Sequence, residues 1–394
     1  MSLILDKSAW KRVVLRDVVR HITDRVDAET SGLQRFLAGE HIPSGSLAIT
    51  NWGVIGRDSI GPMFYKRFQP GHVLYVSRRT YLRKVAVPEF EGITGEKTFV
   101  LETLDPDVLL KEFLPFVLSA ERFHVYAIAN SRGSVNPYLN WGELAAYEFD
   151  LPPLDVQNRI ADLLWAVERN LWAANAERDA ARTTLGRFAR HRLSKMPTTT
   201  RLGEVATTRS GPSFAASAVN ELPVEGSVPV LGIPNTKPDG AIDLNGVRNV
   251  TGLAESVGKI DDSSLVLIRT NGNRQRIGNV YLPPAEAHGH AVSAFQFLMR
   301  SNDPADREYL YWVLSEPTMQ ERMSEAASGS VGLGNLAVRW LNDQQIPWSK
   351  DGASRRAMVN EMRNLATVVT LIDSKRETLI ALRSSLSAGV FGGN

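Results

Sequence analysis

Apolar residues recur at alternating spacings of four and three along LPPLDVQNRIADLLWAVERNLWAANAERDAARTTLGRFARHRLS, residues 151 to 194. Ile160, Leu164, Val167, Leu171, Ala174, Arg178, Ala181, Leu185, Phe188 and Arg192 hold these positions, the a/d seam of a coiled coil. The pattern returns near the end of the chain. Adding 194 to each number gives Ser354, Met358, Glu361, Leu365, Val368, Ile372, Lys375, Leu379, Leu382 and Leu386, again mostly apolar. Arg169-Asn170-Leu171 recurs as Arg363-Asn364-Leu365, and Pro153 maps to Pro347, so a proline stands before each helix, where a missing N–H costs little. Each helix is expected to run roughly 35 to 40 residues, about 55 to 60 Å at 1.5 Å per residue. A stripe of that length needs a partner stripe. The other copy in the same chain, lying antiparallel, is the economical partner; the competing reading is a homo-oligomeric coiled coil.

The repetition extends into the blocks that precede each helix. KEFLPFVLS (Lys111 to Ser119) aligns without gaps to REYLYWVLS (Arg307 to Ser315), and the same offset of 196 carries Gly133, Ser134 and Val135 onto Gly329, Ser330 and Val331. Asp105-Pro106 and Asp303-Pro304 stand before the two aligned segments as helix-start signals. Strand-like runs punctuated by glycine fill both blocks: HVLYVS at 72 to 77, KVAV at 84 to 87 and KTFVLE at 97 to 102 in the first. The second has SVPVLGI at 227 to 233, SLVLIRT at 264 to 270, GNVYL at 278 to 282 and SAFQFLM at 293 to 299. The chain therefore reads block, long helix, block, long helix, with each block a mixed α+β domain around a twisted sheet. Matching frames with divergent middles suggest one architecture that binds two different things.

A length of 394 residues suits two such domains. Zero cysteines exclude disulfides and thiolate metal sites, which suits the cytoplasm. No apolar run approaches the ~20 residues that span a membrane, and the opening MSLILDKSAWKRVVLRD does not read as a signal peptide. A net charge of +2 is too small to mark a nucleic-acid binder, so that case rests on local patches.

Two patches qualify. SRRTYLRK, Ser77 to Lys84, offers Arg78, Arg79, Tyr81, Arg83 and Lys84; Lys66, Arg67 and several aromatics lie nearby, and Asp58 is the only acid between Arg57 and Pro88. RTNGNRQR follows the strand SLVLI and offers Arg269, Asn271, Asn273, Arg274, Gln275 and Arg276, with no acid between Asp262 and Glu286. Arginine spans guanine O6 and N7 or a phosphate, Asn and Gln pair with adenine, and lysine adds a point charge to backbone contacts. Gly272 is expected to let the second loop turn tightly. The bland alternative is a cationic edge or a polar surface hairpin. No catalytic residue is assigned. GITGEKT and GLAESVGKI have the wrong spacing for phosphate loops, Asn136-Pro137-Tyr138 lacks the second proline of a methyltransferase tetrapeptide, GSVGLG follows a helix rather than a strand, and His288 with His290 lacks a third metal ligand.

Together these stretches resemble the specificity (S) subunit of type I restriction-modification systems. The likeness covers essentially the whole chain and is carried by LPPLDVQNRIADLL, FQPGHVLYVSRRTYLRKVAV, VPVLGIPNTKPDGAIDLNGV and LVLIRTNGNRQRIGNVYL. It implies an α+β fold with an internal pseudo-twofold repeat, in which two target-recognition domains with twisted mixed sheets are joined by two long antiparallel helices forming a coiled coil. The domains would be residues 1–150 and 197–346, the spacer helices 151–196 and 347–394. The resemblance further implies a non-catalytic subunit that reads a split target in double-stranded DNA and docks two modification subunits. Those subunits carry S-adenosylmethionine and methylate adenine; restriction subunits, where present, bring ATP and Mg2+, and this chain binds no cofactor itself. The second helix starts differently, since QIPWSKDGASRRAM lacks the Pro-Pro and acidic-Gln pattern. Two other readings stay open: a stand-alone DNA-acting enzyme with an unrecognised site, and a coiled-coil scaffold without DNA binding.

Overall fold

A computed structural model describes residues 5–329 and 333–392. Met1 to Ile4, and the Ser330 and Val331 of the repeated Gly-Ser-Val, lie outside the described residues. The chain forms two compact units, Met1–Arg178 with Ile372–Asn394, and Asp179–Leu371.

The first unit is built on a four-stranded antiparallel sheet of β1 (Val19–Ile22), β2 (Val73–Val76), β3 (Val85–Ala86) and β4 (Thr98–Thr103), in the order β1-β4-β2-β3. Val73 pairs with Leu101 and Leu74 with Ala86. Side chains alternate across a strand. Val73, Tyr75, Phe99 and Leu101 accordingly face the core formed with the helices Leu114–Ser119 and Glu121–Ala129, while Leu74, Val76 and Val100 join Leu37, Ile42 and Phe68 on the other face. Burial on both faces explains why these strands read as continuous apolar runs rather than alternating ones. A second sheet contains Arg35–Leu37 and Gly92–Gly95 as a parallel pair, and Lys11–Val14 pairs with Glu148–Leu151 to close the unit at the start of the first long helix.

The second unit repeats this plan. Its main sheet has β5 (Ala206–Ser210), β6 (Ser264–Ile268), β7 (Val280–Tyr281) and β8 (Gln296–Ser301) in the order β5-β8-β6-β7. Leu265, Leu267, Phe297 and Met299 face the helix Arg307–Leu314, and Val266, Ile268 and Leu298 the opposite core. The parallel pair recurs as Val228–Leu231 beside Ala291–Val292, and the closing ribbon as Thr198–Arg201 with Gln345–Trp348.

The long helices are Leu154–Ser194 and Gly352–Phe391, 41 and 40 residues. In the first unit Glu168, Asn175 and Glu177 meet Arg383, Arg376 and Lys375, at 2.9, 2.6 and 3.1 Å. One number rises as the other falls, so the segments are antiparallel. In the second unit Arg192 reaches Glu361 at 2.7 Å. The repeat offset, however, is 198 rather than 194. The first helix starts one residue after Pro153 and the second five after Pro347, which adds four residues. With 198, the ten seam residues map onto Met358, Met362, Leu365, Val369, Ile372, Arg376, Leu379, Arg383, Leu386 and Val390, all buried or half-buried. The offset of 194 put Ser354, Val368, Lys375 and Leu382 in the seam, and these four are exposed. Four residues are close to one turn, so the wrong register still finds apolar residues at every second position.

The new register also aligns the helix starts. Gln157 is buried; its side-chain amide donates to Val108 O and Pro152 O and its oxygen accepts from Leu110 N, which ties the first helix to its unit. At 157 + 198 stands Arg355, buried over the Trp348 ring, donating to both oxygens of buried Asp306 at 2.6 and 2.7 Å and to Ser349 O. An ion pair replaces the amide clamp that QIPWSKDGASRRAM lacks.

Candidate nucleic-acid interface

The two basic loops occupy the same place in the two units. Residues 77–84 connect β2 to β3 and residues 269–279 connect β6 to β7, the corresponding neighbours in equivalent sheets. Each strand before the loop is fully buried, so the loop starts from a fixed point.

In the first loop Arg78, Arg79, Tyr81 and Arg83 are exposed and Lys84 is half-buried. Thr80–Leu82 forms a short 3-10 turn, flanked by Arg79 at φ 56° and Arg83 at φ 53°. These are the only non-glycine residues with positive φ among the described residues. A side-chain-bearing residue there costs roughly 1–2 kcal/mol relative to ordinary backbone. Arg79 Nε donates to Asn136 Oδ1 at 2.7 Å, Arg83 makes a two-pronged pair with Glu121 at 2.6 and 2.7 Å, and Lys84 Nζ donates to Gly39 O. Burial lowers the Lys84 ammonium from its ordinary value. Arg78 and Tyr81 have no side-chain hydrogen bond or ion pair among the described residues, and Tyr81 is 50% exposed.

In the second loop Gly272, Asn273, Arg274 and Gln275 are exposed. The oxygen of Asn271 accepts from Asn273 N and that of Asn273 from Gln275 N, each at 2.8 to 3.0 Å, so both amides brace the turn. Arg276 is held inside, donating to Thr236 O and to the Tyr281 hydroxyl. Arg269 donates to Ala294 O at 3.3 Å and lies over Phe297. The exposed side chains without a hydrogen bond or ion pair among the described residues are therefore Arg274 and Gln275. Gly272 does not take the left-handed conformation expected of a tight turn; Gly278 does, at φ 87°, where an added Cβ would stand 2.6 Å from Met323 Cβ.

A strap that the sequence reading did not connect to these loops lies beside each. In the first unit Arg78 bridges to Tyr138, Arg79 N donates to Pro137 O, and Gly133 turns at φ 91°. In the second, Thr270–Asn271 pairs with Gly334–Asn335 and Leu336 N donates to Arg269 O. The signal was present in the repeated glycine, Gly133 and Gly329, which precedes the strap residues in both blocks. Among the described residues no group of three or more His, Cys, Asp or Glu is placed to hold a metal ion, and no helix is long and apolar enough to cross a membrane.

Residues 61–180 match the family described as type I restriction modification DNA specificity domain. A comparison with curated proteins gives no match. Among solved structures, the type I restriction-modification system S subunit from M. genitalium is similar at a TM-score of 0.57 and 16% identity, covering 100% of this chain and 99% of that one. A chain from a structure on complex assembly and conformational transition of the type I R-M system follows at 0.56 and 17%, with 98% of each chain covered. At such identities the likeness is one of fold. Residues 61–180 thus resemble the type I restriction modification DNA specificity domain, and the chain as a whole has the fold of the type I S subunit it is similar to.

Proposed function

We propose that this chain is the non-catalytic DNA-reading subunit of a type I restriction-modification complex in the cytoplasm. The observation that carries the proposal is the equivalence of the two basic loops: each fills the same connection of the same sheet, yet their side chains differ. Residues 1–150 and 197–346 act as two target-recognition domains, each reading one half of a split site. Arg78, Arg79, Tyr81, Arg83 and Lys84 serve one half; Arg269, Asn271, Asn273, Arg274, Gln275 and Arg276 serve the other. Within these sets, Arg78, Arg274 and Gln275 reach outward to bases or phosphates, as does the end of Arg79, which Asn136 holds only at Nε. Arg83, Lys84, Arg269 and Arg276 are bonded within the chain and shape the loops. The long helices dock modification subunits, which bring S-adenosylmethionine and methylate adenine; restriction subunits, where present, add ATP and Mg2+. The Arg355 clamp holds the second helix to its unit as Gln157 holds the first, so both helix starts are ordered for docking.

The test is an exchange of residues 198 to 345 for the corresponding block of a relative, followed by mapping of methylated adenines in the host. One half of the methylated sequence should change and the other persist. Changes in both halves contradict independent readers, and methyl transfer by the purified chain without partner subunits contradicts the non-catalytic role.

A further inference from the structure

A cleft of about 260 Å³ opens in the first unit beside the loop of Ser77 and Arg78, with Arg25, Lys66, Lys97, His21, Asn140 and Trp141 on its walls. At its base Lys66 is 7% exposed. Its ammonium has three protons. Two go to the carbonyls of Glu96 and Thr98, at 2.7 and 2.9 Å, and among the described residues no carboxylate forms an ion pair with it. Buried charges in proteins are normally paired, because neutral acceptors do not cancel the cost of removing a cation from water. Nearby, His21 Nε2 is buried with no hydrogen-bond partner among the described residues, and its ring packs on Phe99 and Trp141 at 4.9 and 5.4 Å. Arg25 lies over Tyr65 and Lys97 over Tyr138, both with exposed heads. Among the described residues Glu96 is the one acid on the wall, 3.8 Å from Lys97. Three cations against one carboxylate leave the cleft short of an anion.

We infer that this cleft is a phosphate site, occupied by a backbone phosphodiester of the DNA whose bases the neighbouring loop reads. This rests on the DNA-reading role proposed above. Lys66 supplies its third proton and a desolvated charge, Arg25 and Lys97 close over the phosphate from the rim, and the Asn140 amide and an Nε2–H tautomer of His21 add neutral donors. Tyr138 belongs to the strap that bridges to Arg78, so the phosphate fixes loop and strap relative to the duplex. Burial and the nearby Lys66 charge hold His21 down at about 4, and burial holds Lys66 down at about 8. A bound phosphate reverses the electrostatic part of both shifts.

The test uses the full chain in two arms. In the first, duplex DNA binding is measured against salt for the unaltered chain, for Arg25→Ala with Lys97→Ala, and for Lys66→Met. Losing one phosphate contact flattens the slope of log Kobs against log salt by about one unit. In the second, inorganic phosphate is titrated while the ring signals of His21, assigned with His21→Gln, are followed by NMR; a saturable shift and a raised His21 pKa are expected, both absent in Lys66→Met. Should Lys66→Met not fold, the rim double variant carries both arms. An unchanged salt slope with a silent His21 overturns the site. A responding His21 with an unchanged slope overturns the DNA backbone as its source and leaves a site for free phosphate. If the unaltered chain binds no DNA, the DNA-reading role fails, the backbone source fails with it, and the phosphate arm alone decides whether the cleft takes phosphate.

Discussion

Arg79 and Arg83 sit at φ 56° and 53°, where glycine would be easier. Strain of this kind persists where surrounding contacts hold it, here the bonds of Arg79 to Asn136 and of Arg83 to Glu121. Arg79→Gly should leave stability unchanged or raise it, whereas Arg79→Ala, which keeps the left-handed cost and loses the bond to Asn136, should be less stable than Arg79→Gly by about 1 kcal/mol in urea unfolding. Both variants should lose DNA affinity equally, by ~1 to 3 kcal/mol if the guanidinium reads a base. Equal stability of the two, or retained affinity, contradicts this reading. At this scale the sequence shows which stretch is basic and free of acids. It does not show which cations are already occupied: Arg83 is held by Glu121, 38 positions away, and Arg276 by Thr236, 40 positions away. Lys66 was visible as one more charge near the loop, but its burial depends on carbonyls 30 and 32 residues further on.

At the level of elements, the two helix starts solve one problem differently. Gln157 satisfies a strand-helix junction with a neutral amide; Arg355 and Asp306 do so with a buried ion pair, their side chains 9% and 6% exposed. Breaking such a pair from one side leaves a desolvated charge and costs about 3–5 kcal/mol, whereas neutralising both sides costs much less. Arg355→Ala should therefore destabilise the second unit by that amount, and Arg355→Gln with Asp306→Asn should recover most of it. Hydrogen exchange resolved by unit measures this; equal protection in the single and double variants contradicts it. The elements themselves were largely legible, because strands buried on both faces make apolar runs and long seams make heptads. The four extra residues before the second helix were hidden, since a shift of about one turn changes which residues meet the partner without erasing the periodicity.

At the scale of the whole molecule, both long helices pass from one unit into the other, at Arg178 to Asp179 and at Leu371 to Ile372. The repeat announced this plan in the sequence, since two copies of block and helix are legible without coordinates. Where each helix is committed to a core was not. Removing Val167 to Ala173, a heptad in phase with the seam, would take out the buried Val167, Glu168 and Leu171 of the first unit, and so would test folding rather than length. Insertion is the cleaner experiment. Seven residues added between Arg178 and Asp179, with seven more between Leu371 and Ile372, keep the a/d phase and leave the interior of each unit intact. Each helix lengthens by ~10 Å at 1.5 Å per residue. If the helices set the spacing of a split target, both half-site sequences should persist in the methylated DNA while the unspecified gap grows by at most about three base pairs, given ~3.4 Å per base pair. The gap grows less where the helices run oblique to the duplex, and activity falls where the added length rotates one half-site out of groove phase. Mapping methylated adenines in cells that carry the insertion variant reads sequence and gap together. An unchanged gap at full activity would show that the helices hold partners without measuring the DNA.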